Sequence, residues 1–228
     1  MDKVTTSELK ETGRFSNMPP QRDVDEHSLE MHLPYLWKRL EQTFGSDASK
    51  YPPIVPILVG DGSVEQEKAF GQLLTPYLKD PQNAFIVSSD FCHWGSRFSY
   101  RPQYSSGAVR NLDSRGFDGD LEVDPGLLEK EAGPQPPIHE VIRVLDEMAM
   151  DAVKAGDHDV FYKTVQETQN TVCGRHPIGV VVAGLEILAS EGLDNRKGKF
   201  SFIQYQRSSL VKKNSDSSVS YASAYAVV

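Results

Sequence analysis

Between residues 54 and 88 the chain changes hydrophobic period twice, and this restricts the possible folds more than any other feature. Ile54 to Val59 is a short apolar run rich in β-branched residues. Ser63 to Leu78 then places Phe70, Leu73, Leu74 and Tyr77 on one helical face, and Ala84 to Ser88 is apolar again. Strand, helix and strand in that order predict a βαβ unit in a largely parallel sheet. The remainder reads as covering layers. Thr5 to Lys10 predicts a short helix, and residues 13–25, broken by Pro19 and Pro20, predict a loop. Ser28 is placed to N-cap a helix carrying Leu29, Leu33, Leu36 and Leu40, kinked at Pro34. Three further helices are expected over about 138–154, 157–169 and 177–190, the last stopped by Gly192. Residues 199–206 and 219–227 predict strands, the second with a small face of Ser220, Ala222, Ala224 and Ala226 suited to close packing against another layer. The expected fold class is α/β: one domain over residues 1–228 with a mixed central β-sheet flanked by helices, and a Gly-, Pro- and Asp-rich surface insertion at 101–136.

Composition narrows the function. With 39% hydrophobic and 25% charged residues the chain is of globular, not disordered, type. Its 32 acidic against 24 basic residues give a formal charge of −8, which disfavours nucleic acid and anionic membranes as main partners. The start has no apolar leader, and the best apolar run, Pro177 to Ala189, contains Glu186 and is too short for membrane insertion. Two cysteines, Cys92 and Cys173, are too few for a secreted disulfide framework, so a cytoplasmic or nuclear location is expected. His139 and His158, isolated in sequence, are expected on the surface. Gly60-Asp61-Gly62 lacks the third dinucleotide glycine and carries Glu65 instead, which would repel a pyrophosphate.

Three segments concentrate chemistry. In Ser88-Ser89-Asp90-Phe91-Cys92-His93-Trp94-Gly95, an apolar run delivers Asp90 and His93 to a strand end, where ligands bind in α/β sheets, with Trp94 as a pocket wall. A loop in which Asp90 caps a turn and His93 bonds to backbone fits the residues equally well. In Asn170-Thr171-Val172-Cys173-Gly174-Arg175-His176-Pro177, Pro177 marks a first helical turn. Cys173 then lies just before a helix N-terminus beside Arg175 and His176, a setting suited to a reactive or metal-binding sulfur rather than an inert buried one. Glu26-His27-Ser28-Leu29-Glu30-Met31-His32 is dense in ligand types but is not a zinc helix. His27 and Glu30 could share a face, with capping and ion pairing as the plainer role.

These three segments, extended through Leu33-Pro34 and Ile178-Gly179, together with Asp216-Ser217-Ser218-Val219-Ser220-Tyr221-Ala222, resemble the signatures of the Memo family, mediators of ErbB-driven cell motility. The resemblance covers nearly the whole chain outside 101–136. It implies the fold of the class III extradiol dioxygenases, whose metal is held by two histidines and a carboxylate. It puts Cys173 at the carboxylate ligand position and His93 at the acid/base position, with Asp90 beside it. A sulfur ligand there suits copper better than iron. The family's A-P-H-A-G-Y and G-P-S-H-H segments, each with a histidine ligand, do not occur here, so the expectation is an amino-terminally truncated domain. The function implied is cell-motility signalling with binding of a phosphotyrosine-type peptide. The cleft would be lined by Asp90, His93, Trp94, Cys173, Arg175 and His176, with His27 and Glu30 as outer candidates, and its metal pocket would be vestigial. The rival expectations are a copper- or iron-dependent oxidoreductase and an unstable fragment.

Overall fold

The structure, a computed structural model, describes residues 1–102, 136–192 and 197–228. The insertion expected at 101–136 thus falls, except at its edges, outside the described residues. The chain forms two compact units, Met1–Gly60 and Asp61–Val228.

In the first unit, α1 (Lys3–Glu11) starts at Asp2, whose carboxylate accepts from the Val4 and Thr5 amides. The expected 13–25 loop contains a helix, α2 (Pro20–Asp25), because proline at the first helical position loses only an amide that has no intrahelical partner anyway. The same rule removes the expected kink at Pro34, which stands in the first turn of α3 (Leu33–Phe44). The cap before α3 is Glu26 and not Ser28: its carboxylate accepts from the amides of Ser28 at 2.6 Å and Leu29 at 2.9 Å, and from the Ser28 hydroxyl. A single 3₁₀ turn, Glu30–His32, leads into α3. Trp37 meets Tyr51 edge to face at 5.1 Å between ring centroids. The expected strand Ile54–Val59 joins no ladder among the described residues, although the Ile54 carbonyl accepts from the Asp2 amide at 2.9 Å. β-Branched composition favours extended backbone, but a strand also needs a neighbour to pair with.

Among the described residues, the second unit holds four α-helices and a small sheet. Helix α4 (Val64–Lys79) begins with a capping box in which Ser63 and Gln66 satisfy each other's amides. Helix α5 (Ile138–Ala155) ends at Gly156, whose φ of 70° is the left-handed stop glycine allows. Asp157 caps α6 (His158–Thr168), and Gly174 stands at the start of α7 (Arg175–Ser190). Strands β1 (His93–Trp94), β2 (Ser201–Arg207) and β3 (Ser218–Tyr225) lie in the order β1-β3-β2, every pairing antiparallel. The expected parallel βαβ unit does not form among these residues. Ala84 to Ser88 is unpaired, and the chain joins the sheet only past it, where Phe91 donates to the Ser220 carbonyl and Ser220 donates to the Cys92 carbonyl, each at 2.9 Å. Segment length and composition announced strands here; direction of pairing depends on residues remote in sequence.

The small face of β3 does lie inward, with Ser218 and Ser220 buried and Ala222 packed on a core of Phe91, Ala149, Val153, Phe161, Val165, Val172 and Val182. Each large member contributes roughly 1.5–3 kcal/mol by leaving water. Helices α4 and α7 approach until backbone meets backbone. A Cβ added at Gly71 would lie 2.8 Å from Ala183 Cβ, Gly184 N and Val180 O, and one at Gly184 would lie 2.6 Å from Leu78 Cδ1.

This approach buries a charged residue that sequence spacing did not flag. Glu67 of α4 is 3% exposed, with Oε2 2.7 Å from His158 Nε2 and Oε1 2.6 Å from His176 Nδ1. His158, expected on the surface, is fully buried. The chain of groups continues to Asp159, 3.2 Å from His158 Nδ1, and to Asp61, 3.3 Å from His176 Nε2. Burial by itself would lower the His158 imidazole, but its hydrogen bonds to Glu67 and Asp159 outweigh burial and the nearby Lys68, and its pKa is raised.

Replacing Gly71 by valine should destabilise the chain by about 2–3 kcal/mol in urea unfolding, since the clash is with backbone that cannot turn aside. The raised His158 has a second measurable effect. Its stabilisation is complete below the ordinary imidazole value of 6.5 and is lost as pH rises through the raised value. The melting temperature of the chain should therefore decline across that window, and His158→Gln should be less stable at low pH and show a flatter profile.

Candidate functional site

Two backbone segments of the second unit meet at the site. One runs from Ser88 through β1; the other is the 170–174 connection between α6 and α7. They are laced together: the Cys173 amide donates to the Asp90 carbonyl at 3.2 Å, the Asp90 amide donates to Cys173 Sγ at 3.1 Å, and the Gly174 amide donates to Ser89 Oγ at 3.0 Å. The contact needs glycine, because a Cβ at position 174 would fall 2.4 Å from the Ser88 carbonyl oxygen. This brings Cys173, exposed and with a free thiol, beside Asp90.

His93 is held by Thr171. Its amide donates to Thr171 Oγ1 at 2.7 Å, and its Nδ1 lies 2.9 Å from the Thr171 carbonyl. A carbonyl only accepts, so Nδ1 carries the hydrogen and the neutral ring keeps its lone pair on Nε2. That nitrogen lies 3.8 Å from Asp90 Oδ2. The ring is backed edge-on by Phe98 at 5.1 Å, over which Arg97 lies at 4.5 Å. Ligand atoms of Asp90, His93 and Cys173 all lie within 4.8 Å of one another, the one such group of His, Cys, Asp or Glu among the described residues.

The other expected site residues stand elsewhere. Trp94 is 1% exposed and packs with Cys92, Ile142 and Val211, on the opposite face of the strand from His93, so it supports the site from the core. Arg175 Nη2 lies 3.8 Å from the exposed Asp61, and His176 is engaged by Glu67 and Asp61, so both are paired outside the Asp90–His93–Cys173 cluster. His27 and Glu30 belong to the first unit, at the turn capped by Glu26. Sequence reasoning overlooked Thr171 and Asp146. Asp146 is fully buried on α5, and its carboxylate accepts from the Cys92 amide at 2.9 Å, Asn170 Nδ2 at 3.1 Å and Tyr205 hydroxyl at 2.7 Å. The available signal was one acid amid the apolar positions Ile142, Leu145, Met148 and Ala149. Burial pushes Asp146 above the usual carboxylate range against the hydrogen bonds that lower it, and burial followed by Asp146 itself pushes the Cys92 thiol up. Of the two cysteines, then, Cys92 is locked as an inert thiol in the core and Cys173 faces solvent.

Chemically, the cluster offers an imidazole nitrogen with its tautomer set from behind, a carboxylate and a sulfur. That donor set fits a metal ion: the outer hydrogen bond of His93 is the orienting contact metal-binding histidines use, and three protein donors leave further positions open. Imidazole with sulfur suits the softer transition metals.

The family model described as Memo-like protein matches residues 1–225. Protein MEMO1 of Danio rerio is 38% identical over 228 residues, covering 100% of this chain and 65% of the relative. Protein MEMO1 of Homo sapiens is 38% identical over 222 residues, 97% of this chain and 63% of the relative. Protein memo-1 homolog of Caenorhabditis elegans is 33% identical over 223 residues, 98% of this chain and 53% of the relative. The chain thus spans less than two thirds of the length of these curated relatives. Among the described residues no helix is long and apolar enough to cross a membrane. The family-model match over residues 1–225 and 38% identity across the whole chain to a curated relative establish that this chain belongs to the Memo-like protein family.

Proposed function

We propose that the chain is a cytoplasmic or nuclear signalling protein of the cell-motility type, which binds a copper ion at Asp90, His93 and Cys173 and docks a phosphotyrosine-type peptide, and that it is not a working dioxygenase. The observation that carries the metal reading is that Cys173 is brought from a segment remote in sequence to the Asp90–His93 pair, with ligand atoms of all three within 4.8 Å of one another. The peptide and the motility role rest on kinship with the relatives named above. In this reading the pocket is vestigial as a dioxygenase site while still able to hold an ion: it keeps sulfur, imidazole and carboxylate donors but no further histidine within the described cluster. His93 Nε2, facing Asp90 and Cys173, is the feature that favours the alternative of an oxidoreductase, since it could move a proton at the metal's edge.

Titration of the purified chain with Cu(I) against a chromophoric chelator tests the metal reading. Stoichiometric binding is expected, weakened at least about tenfold in Cys173→Ser and in His93→Ala, because removing a donor should exceed the 10–100-fold effect of losing a contact behind one. Equal affinity in Cys173→Ser would place copper elsewhere. A phosphotyrosine peptide that binds no better than its unphosphorylated form would remove the peptide assignment.

A further inference from the structure

The two segments that carry the donors share one buried anchor. Asp146 Oδ1 accepts both from the Cys92 amide, at 2.9 Å, and from Asn170 Nδ2, at 3.1 Å. Cys92 immediately precedes His93. Asn170 immediately precedes Thr171, whose hydroxyl and carbonyl hold the His93 amide and ring, and lies three residues before Cys173. One carboxylate oxygen therefore ties together the strand that presents His93 and the connection that both orients His93 and presents Cys173. The other oxygen does a different job. Asp146 Oδ2 accepts from the Tyr205 hydroxyl at 2.7 Å, and that hydroxyl is 3.3 Å from Ser220 Oγ, so this arm reaches β2 and β3. Asn170, 2% exposed, makes a second bond to the Leu145 carbonyl at 3.2 Å, which fixes its amide against α5.

We infer that Asp146 is a positioning residue of the Asp90–His93–Cys173 cluster, acting through Cys92 and Asn170, and that it sets metal affinity without touching the metal. The inference rests on the metal reading of that cluster. A helix core has little use for a bare acid: an apolar residue of the same size would fill the space without desolvating a charge, whereas removing one partner from a buried polar set leaves the others unsatisfied. What the acid supplies that an apolar residue cannot is a single acceptor for two donors on two separate segments. The His93 tautomer depends on that acceptor at one remove, since the Thr171 carbonyl stays in place only while the 170–173 connection does.

The two arms allow structural and positioning roles to be separated in the full chain. Tyr205→Phe removes the tyrosine hydroxyl from the sheet arm; Asn170→Ala removes one donor of the site arm together with its bond to the Leu145 carbonyl; Asp146→Ala removes both arms, and Asp146→Asn retains an acceptor oxygen for Cys92 and Asn170 while its amide nitrogen can face the Tyr205 and Ser220 hydroxyls. Each variant is measured for Cu(I) affinity by chelator competition at a temperature where its melting curve shows it folded. Asn170→Ala and Asp146→Ala should bind Cu(I) at least about tenfold more weakly. Tyr205→Phe should keep the native affinity although its melting temperature falls, and Asp146→Asn should recover most of what alanine loses. Should Asp146→Ala not fold, the contrast between Asn170→Ala and Tyr205→Phe decides alone. Affinities that follow melting temperature across the set, or that do not change, would overturn the inference. Wild-type copper binding indifferent to His93→Ala and Cys173→Ser would instead overturn the metal reading itself.

Discussion

Helices α4 and α7 can lie in backbone contact only because Gly71, Gly179 and Gly184 have no side chains, and much of the second unit follows from that approach. At Gly179 a Cβ would stand 2.1 Å from Glu67 Oε2, so the glycine on α7 is also the space that the Glu67 carboxylate occupies. Once there, Glu67 has no water and must find donors. The imidazoles of His158 on α6 and His176 on α7 provide them, and three helices become joined through one carboxylate. His176 is in the first turn of α7, just past the Cys173-Gly174 corner. The helix start that delivers the sulfur is thereby fastened to the core by a contact on its far side.

The unit thus contains two buried acids with the same problem and different solutions. Glu67 faces two imidazoles, and its hydrogen bond is one of those that raise His158. Asp146 faces an amide, a carboxamide and a hydroxyl, none of which changes charge in the ordinary range. Desolvating a carboxylate costs several kcal/mol, and neither network is a cheap way to hold helices together. What both provide is direction: a hydrophobic core tolerates small slides and rotations, whereas a carboxylate with two or three short hydrogen bonds does not.

Local chemistry was legible in the sequence, and long-range pairing was not. Gly192 reads as a helix stop by a rule that operates within a few residues; the Ser63–Gln66 capping box, the Asp157 cap and Gly156 follow rules of the same short range, and the helices lie close to where periodicity puts them. The inward small face of β3 was equally readable, since alternation is a local property. Ile54–Val59 and Ala84–Ser88 show the limit: their composition says extended, but a strand is defined by its neighbour. The segments carrying Asp90, His93 and Cys173 could be picked out by residue type and by family likeness. The contacts that make them a site could not: Thr171 is an ordinary polar residue in a polar stretch, and Asp146 and Glu67 look like solvent-facing acids until the tertiary packing covers them. His158 was misplaced for the same reason, because an isolated histidine becomes a core residue only when a buried acid reaches it.

The chain has two tryptophans, and the fold assigns one to each compact unit. Trp37, 56% exposed, lies against Tyr51 in the first; Trp94, 1% exposed, is sealed in the second on the core side of the strand that carries His93, its indole nitrogen without a partner among the described residues. An indole in water and one in an apolar cage emit at different wavelengths, and a quencher added to solution reaches only the former. The molecule therefore carries its own pair of optical gauges, one for each unit. The blue-shifted emitter sits one residue from the imidazole of the site, so the state of that site and the integrity of the first unit can be followed separately in a single unlabelled sample.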